Sequence, residues 1–346
     1  MSLFIMNETG DAINPNPHIK IPQGVERIAE GALYDLYFLK ELTIPASMVR
    51  FGPADLRAYP SDGDFYWFER HFGETENLEA IHAEEGGIYN SINGVLYKDT
   101  ELTLCPPYFK GGVLDMPEGC ETVGEYACHG AEIKEVCFPK SLKRLKTGAF
   151  LSATFHEGLT LPKLEYGVNA FRSAIVYEHL TISEDVQLSE MMFAYSFLPR
   201  RIDLKNEVIP KDCFDDARGV GYVRLHDTVK EIDEKALGFS PNFIHKIYVP
   251  EGIKLHEDAF CRRGVYLVWN ESTFTLGGVA GGEVQKFVEA HNIHFEAVEN
   301  TEEAIENFLS HPSEEDDYFG GYSYHEPYCT QTDDDGRSFM EDGLPF

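Results

Sequence analysis

A unit of about 22 residues recurs along most of the chain, and one spacing inside the unit never changes. An apolar residue is followed five positions later by a second apolar residue that ends a tight turn. The pairs are Ile28 and Leu33, Phe51 and Leu56, Val123 and Cys128, Leu145 and Phe150, Tyr166 and Phe171, Leu188 and Phe193, Ile209 and Phe214, Ile232 and Leu237, and Leu255 and Phe260. A fixed period of this length is typical of an array of stacked coils.

Each unit begins with a short apolar strand that follows the same period. The second apolar residue of the strand recurs at Ile21, Ile44, Met116, Phe138, Leu161, Ile182, Leu204, Leu225 and Val249. In six copies a proline follows directly, and it fits there because proline cannot donate a hydrogen bond to a continuing ladder. Stacked units can shelter one another's apolar side chains and can each add one strand to a parallel sheet.

The repeat also carries a family resemblance. The pattern I-P-x-x-V-x-x-I-x-x-x-A-[FL] at residues 21–33, and less perfectly at residues 138–150, resembles the BspA-like class of leucine-rich repeats. Residues 77–107 look like the hairpin insertion of that family, and residues 282–298 look like its closing helix and strand. The resemblance covers roughly residues 19–298. It implies surface adhesion or partner binding and no shared catalytic residues.

We therefore predict an α/β solenoid, a leucine-rich-repeat right-handed superhelix. A parallel sheet of short strands is expected on one side, with short turns or helical corners on the other. Residues 1–18 are predicted to cap the first repeat, because terminal repeats need a polar-faced cap. The solenoid is predicted at residues 19–298, with an irregular insertion at residues 57–112 and a closing helix and strand at residues 282–298. Residues 299–346 are predicted to be an acidic, flexible tail.

Local patterns predict three further features. A first strand is expected at residues 2–6. A hairpin is expected at residues 88–107, with Val95 and Tyr97 opposite Leu102 and Leu104. An aromatic-rich stretch at residues 57–76 breaks the period. It is expected either to pack on the adjoining coil or to form a binding loop.

The last part of the chain differs in composition from the repeats. Residues 301–346 hold thirteen acidic residues and one basic residue, Arg337, a net charge of −12. Such a composition is typical of a disordered segment, although its scattered aromatic residues leave open a segment that docks on the solenoid or on a partner. A short helix is predicted at residues 301–309.

The formal net charge of −30 limits the classes of partner. Nucleic acid and anionic membranes are bound by clustered Lys and Arg, so neither is expected here. The seven cysteines show no CxxC spacing and several occupy repeat positions, which favours reduced thiols in a cytosolic protein. We expect a cytoplasmic location, because residues 3–6 are too short for a signal-peptide core and no stretch reaches the ~20 apolar residues of a membrane span.

Motifs for catalysis, metals and cofactors are weak throughout the sequence. The glycines at residues 277–282 lack phosphate-loop spacing, and no HExxH or GxSxG pattern occurs. Asp333, Asp335, Gly336 and Asp342 fall at calcium-loop positions, but Gln331 stands where the first ligand should be. We therefore predict no enzyme activity, no metal and no cofactor.

The candidate binding residues follow from strand alternation. Alternate residues of a strand face opposite sides, so Glu135 and Cys137 should point outward if Val136 and Phe138 point into the core. Neighbouring strands lie about 4.8 Å apart, so the later copies should share one basic and aromatic exposed patch. Its predicted members are His179, Arg201, Tyr222, Arg224, Lys246 and Tyr248.

These observations predict a non-enzymatic scaffold that binds a protein or peptide partner through the exposed sheet. The partner is expected to be acidic, and the tail itself is one candidate. A cell-surface or host-interaction protein, exported by a non-standard route, is the alternative that the resemblance implies. A carbohydrate-binding module that uses aromatic residues such as Trp67 and Tyr248 is the third possibility.

Overall fold

The computed structural model describes residues 16–28, 33, 36, 38–53, 77–109, 112–261, 274–291, 293–310, 331–332 and 338–339. The strand predicted at residues 2–6 and the aromatic stretch at residues 57–76 lie outside these ranges. The chain divides into two compact units, Met1–Leu309 and Ser310–Phe346.

In the described residues the strands, in chain order, are β1 (His18–Lys20), β2 (Glu41–Ile44), β3 (Ala80–Ala83), β4 (Tyr89–Ile92), β5 (Val95–Lys98), β6 (Glu101–Leu104), β7 (Val113–Asp115), β8 (Thr122–Val123), β9 (Glu132–Ile133), β10 (Glu135–Cys137), β11 (Arg144–Leu145), β12 (Thr154–Phe155), β13 (Leu159–Leu161), β14 (Glu165–Tyr166), β15 (Ile175–Val176), β16 (Leu180–Ile182), β17 (Arg201–Leu204), β18 (Val208–Ile209), β19 (Tyr222–Leu225), β20 (Glu231–Ile232), β21 (Lys246–Tyr248), β22 (Lys254–Leu255), β23 (Thr275–Gly278), β24 (His294–Ala297), β25 (Gln331–Thr332) and β26 (Ser338–Phe339). The helices within the same ranges are α1 (Glu283–His291) and α2 (Glu302–Leu309).

Three coils in the middle of the described repeats each carry three short strands, one on each of three faces. Strands β10, β11 and β12 belong to one coil, and each pairs in parallel with the equivalent strand of a neighbouring coil. The front face ends in a five-stranded sheet in the order β17-β19-β21-β23-β24, which we call the front sheet. All pairs within the front sheet are parallel. This stacking confirms the predicted leucine-rich-repeat solenoid.

Left-handed backbone positions explain why the five-residue spacing never changes. A residue with φ between 54° and 60° lies two positions before the turn anchor in six successive coils: Tyr126, Gly148, Asn169, Met191, Asp212 and Lys235. A side chain costs roughly 1–2 kcal/mol in this conformation, so neighbouring contacts must stabilise it. The turn anchors supply such contacts, since each donates its N–H to the next coil, as Phe193 does to Cys213 O at 2.8 Å.

The turn anchors themselves form the centre of the core. The rings of Phe150, Phe171, Phe193 and Phe214 stack in series, with centroids 5.4 to 5.5 Å apart and planes within 12° of parallel. All four side chains are fully buried. Val136 and Phe138 are half-buried and pack against this core, as strand alternation predicts.

The hairpin insertion is present, but its register differs from the prediction by one residue on one side. Tyr97 pairs with Leu102 as expected, whereas Leu104 pairs with Leu96 and not with Val95. The reason is a β-bulge between Leu96 and Tyr97, which adds a residue to one strand. Strict alternation cannot anticipate such an insertion.

Helix α1 and strand β24 lie at the positions predicted for the closing helix and strand. Helix α2 lies where a short helix is predicted, but its surroundings differ from the expectation of a flexible tail beginning at residue 299. It belongs to the same compact unit as the repeats and packs on strands β19 and β21. The N-terminal end of α2 is capped by Thr301, whose Oγ1 accepts a hydrogen bond from Ala304 N at 3.2 Å.

Candidate partner-binding surface

The front sheet brings five of the six predicted residues together. Three successive strands carry Arg201, Tyr222 and Lys246 at equivalent positions. Two residues further along the second and third of these strands, Arg224 lies beside Tyr248. These five residues are called the sheet patch below. Strand alternation therefore predicts their register correctly, because every second residue of a strand faces the same side.

The sixth predicted residue, His179, lies outside the sheet patch. It immediately precedes β16, which pairs with β13 and not with the front sheet. Its Nε2 is 3.4 Å from Thr160 Oγ1 on the adjoining coil. His179 is exposed there.

Helix α2 covers the sheet patch. Tyr222 and Tyr248 form one apolar cluster with residues from the helix and the segment before it, namely Val298, Ile305, Phe308 and Leu309. The two tyrosines are 3% and 1% exposed, and Arg224 is 8% exposed. The expectation that these three side chains are solvent-exposed is therefore wrong. Alternation shows which side of a sheet a residue faces, but not what lies on that side.

Two arginines hold two glutamates of the helix. Arg201 donates from both terminal nitrogens to Glu306, at 2.7 and 2.8 Å. Arg224 donates in the same manner to Glu302, at 2.7 and 2.5 Å, and also reaches Glu306 Oε1 at 2.9 Å. Such two-pronged pairs are stronger and more directional than single ion pairs.

The charges of the four groups support one another. Hydrogen bonds from Arg224 lower the pKa of Glu302, and those from Arg201 lower the pKa of Glu306. The glutamates in turn raise the pKa of each arginine. Both glutamates are therefore ionised at neutral pH.

Lys246 and Gly277 fix the far end of the helix. Lys246 Nζ donates to the carbonyl oxygen of Phe308 at 2.9 Å and lies 4.9 Å from the centroid of its ring. A cation at the C-terminal end of a helix also interacts favourably with the negative end of the helix dipole. Gly277 pairs with Tyr248 in the front sheet, and a Cβ on Gly277 would come within 2.5 Å of the Phe308 ring. The absent side chain leaves the space that Phe308 fills.

Sequence reasoning did not identify Glu302, Glu306, Phe308 and Gly277 as part of the site. A signal for the helix residues exists, because Glu302 and Glu306 are four apart and Ile305, Phe308 and Leu309 follow helical spacing. No comparable signal marks Gly277. The use of Tyr248 by a carbohydrate is disfavoured in this arrangement because its ring is buried, and Trp67 lies outside the described residues.

Other chemistry is sparse in the part of the chain that the structure describes. No group of three or more His, Cys, Asp or Glu side chains could hold a metal ion among those residues. None of the helices in those ranges has the length and hydrophobicity that a membrane span requires.

Several solved structures share a likeness to the chain. One is the pneumococcal vaccine antigen PcpA, at 14% identity and a TM-score of 0.46, covering 75% of this chain and 56% of that one. A leucine-rich repeat protein from Eubacterium ventriosum is 17% identical with a TM-score of 0.40, covering 64% and 58% of the two chains. A leucine rich cell surface protein from Faecalibacterium prausnitzii is 15% identical with a TM-score of 0.33, covering 86% and 63%. The chain thus spans less than two thirds of each of these proteins.

Curated proteins provide no match to the chain. A family model for the BspA type leucine rich repeat region matches in six copies, over residues 112–198 and 188–264. These ranges contain the stacked turn anchors and strands β17, β19 and β21. Residues 112–264 therefore match a BspA type leucine-rich repeat region, as their sequence pattern predicts.

Proposed function

We propose that this protein is a non-enzymatic scaffold that binds a protein or peptide partner through the front sheet of its repeats. One observation carries the proposal: the sheet patch accommodates an acidic amphipathic helix, using two arginines, one lysine and two tyrosines. Arg and Tyr are the residues that most often contribute large energies at protein interfaces. A surface that fits one such segment has the chemistry to fit another.

The charge distribution favours an acidic partner. Arg201, Arg224 and Lys246 place three positive charges on one part of a chain whose net charge is −30, and Asp203 of the same sheet pairs with Arg201. Three clustered cations are too few for the phosphate contacts of a nucleic-acid site. They suit a segment that carries two or three carboxylates among apolar residues.

The test is capture of partners by the purified protein from cells that produce it. The triple variant Arg201→Glu, Arg224→Glu and Lys246→Glu reverses the charge of the sheet patch, and we expect it to lose the specific partner. The matched control is Lys143→Glu, Arg144→Glu and Lys163→Glu, which makes the same charge change at three exposed side chains away from the front sheet. Equal capture by the wild type and the patch variant would contradict the proposal.

A further inference from the structure

We propose that the sheet patch docks an acidic amphipathic helix of a partner protein, and that helix α2 is a resident occupant which this partner displaces. The inference rests on the proposed function and adds to it the class of partner and the competition within the chain. The contacts between α2 and the sheet patch define which side chains the partner helix must carry.

Helix α2 gives the pattern of the ligand. The groups that contact the sheet are Glu302, Ile305, Glu306, Phe308 and Leu309, which follow the spacing E-x-x-I-E-x-F-L. Residues three and four apart share a helix face, so this face combines two carboxylates with three apolar side chains. A partner helix with the same face would meet the same two arginines and two tyrosines.

Several features make α2 a displaceable occupant. It has eight residues, and an isolated helix of that length is unstable in water because nucleation is unfavourable. The helical form therefore depends on contact with the sheet. The side chains of Glu302 and Glu306 remain 73% and 40% exposed, so solvent and salt weaken their ion pairs. A longer partner helix, stable by itself, would not have this ordering cost.

Gly277 makes the site selective for a large apolar side chain at one position. The Phe308 ring fills the space beside Gly277 and is 3% exposed. Lys246 stands over the same ring. A partner helix therefore needs an aromatic or similarly large apolar residue two positions after its second glutamate.

The experiment measures binding of a fluorescein-labelled peptide of residues 299–310 to the full chain by fluorescence anisotropy. In the wild type α2 competes with the peptide. The apparent affinity for the peptide is therefore the intrinsic affinity multiplied by the fraction of molecules in which α2 is undocked. Phe308→Ala removes the buried ring from α2 but leaves the peptide unchanged. We expect this variant to bind the peptide at least about ten-fold more tightly than the wild type does. Glu303→Ala is the matched control, since Glu303 is exposed on the same helix; it should bind the peptide as the wild type does.

Two further variants separate docking at the sheet patch from adhesion elsewhere. Added to Phe308→Ala, Arg224→Glu should abolish peptide binding by reversing the charge opposite Glu302. Gly277→Val, in the same background, should also abolish it by filling the space for the phenylalanine of the peptide. Circular dichroism of each variant is the control, and its spectrum should match that of the wild type if the fold is retained.

Three results would overturn the inference. The first is that Phe308→Ala fails to bind the peptide. If this chain still captures a partner in a way that depends on Arg224, the scaffold function stands, but the partner does not bind as an acidic helix. The second is peptide binding that survives Gly277→Val and Arg224→Glu. The third is a wild-type dimer in light scattering that Gly277→Val abolishes, which would assign the sheet patch to α2 of a second copy.

Discussion

Phe193 shows how single residues build this protein. It occupies the same corner of its coil as Phe171 and Phe214 do in the neighbouring coils, and its ring stacks on both at 5.4 and 5.5 Å. Met191, two positions earlier, has a left-handed backbone with a φ of 54°. The same backbone conformation recurs at the equivalent position of the adjacent coils. Because the corner is the same each time, one side chain type recurs at the coil spacing and forms a continuous stack of buried rings.

Replacing Phe193 by alanine tests this ladder. The substitution removes a fully buried ring between two others, so it leaves a cavity as well as losing burial energy. We expect the free energy of unfolding to fall by about 3–5 kcal/mol. The measurement is urea-induced unfolding followed by circular dichroism.

The control for this change lies on the surface of the same part of the chain. Val168 is 42% exposed, and its replacement by alanine should change stability by no more than about 0.5 kcal/mol. A similar loss of stability in both variants would show that the stacked rings do not contribute specially to the core.

At the scale of the element, α2 is held by groups whose ionisation matters. The pKa values of Glu302 and Glu306 are lowered from the ordinary value of 4.5 when the helix is docked. A lowered pKa in the docked state means that the undocked state binds protons more readily. The contribution of the two ion pairs to docking is therefore fully present above about pH 4.5 and is lost as the pH falls through the lowered pKa values.

This pH dependence can be followed by NMR of the amide groups of Ile305 and Leu309. Their signals should be unchanged from pH 7 to about pH 4.5 and should move toward undocked positions as the pH falls further. The double variant Glu302→Gln and Glu306→Gln lacks the titrating groups and should lose this transition. A transition of equal size in the double variant would mean that other groups cause the release.

At the scale of the whole molecule, net charge and local attraction act in opposite directions. The chain carries a formal charge of −30, and self-repulsion of this kind destabilises a compact state. The contact of α2 with the sheet patch depends instead on attraction between opposite charges. Added salt screens both interactions, so it should stabilise the repeats and weaken the docking of α2.

We predict that raising NaCl from about 10 mM to about 150 mM increases the melting temperature at pH 7, because the screening length falls from about 30 Å to about 8 Å. Differential scanning calorimetry measures the change. The control is the same titration near the isoelectric pH of 4.7, where the net charge and hence the salt effect should be small. A melting temperature that falls with salt at pH 7 would show that favourable ion pairs outweigh the repulsion.

Much of the fold follows from the sequence alone. The repeat period, the fixed spacing to the turn anchors and the alternation in strands such as Arg201–Leu204 are local patterns. Each is read within one coil, and stacking of equivalent coils then determines which residues become neighbours. The register of Arg201, Tyr222 and Lys246 is correct for this reason.

Only the tertiary structure decided what lies over those residues. The pattern of residues 301–309 predicts a helix, but the contacts that place it join Arg201 to Glu306 across 105 residues and Arg224 to Glu302 across 78. The direction in which the chain turns after Val298 determines these contacts, and no local periodicity encodes it. A sheet face that the sequence predicts to be open is therefore covered at one end, because a short helix buries its apolar side chains on the nearest surface that also neutralises its charge.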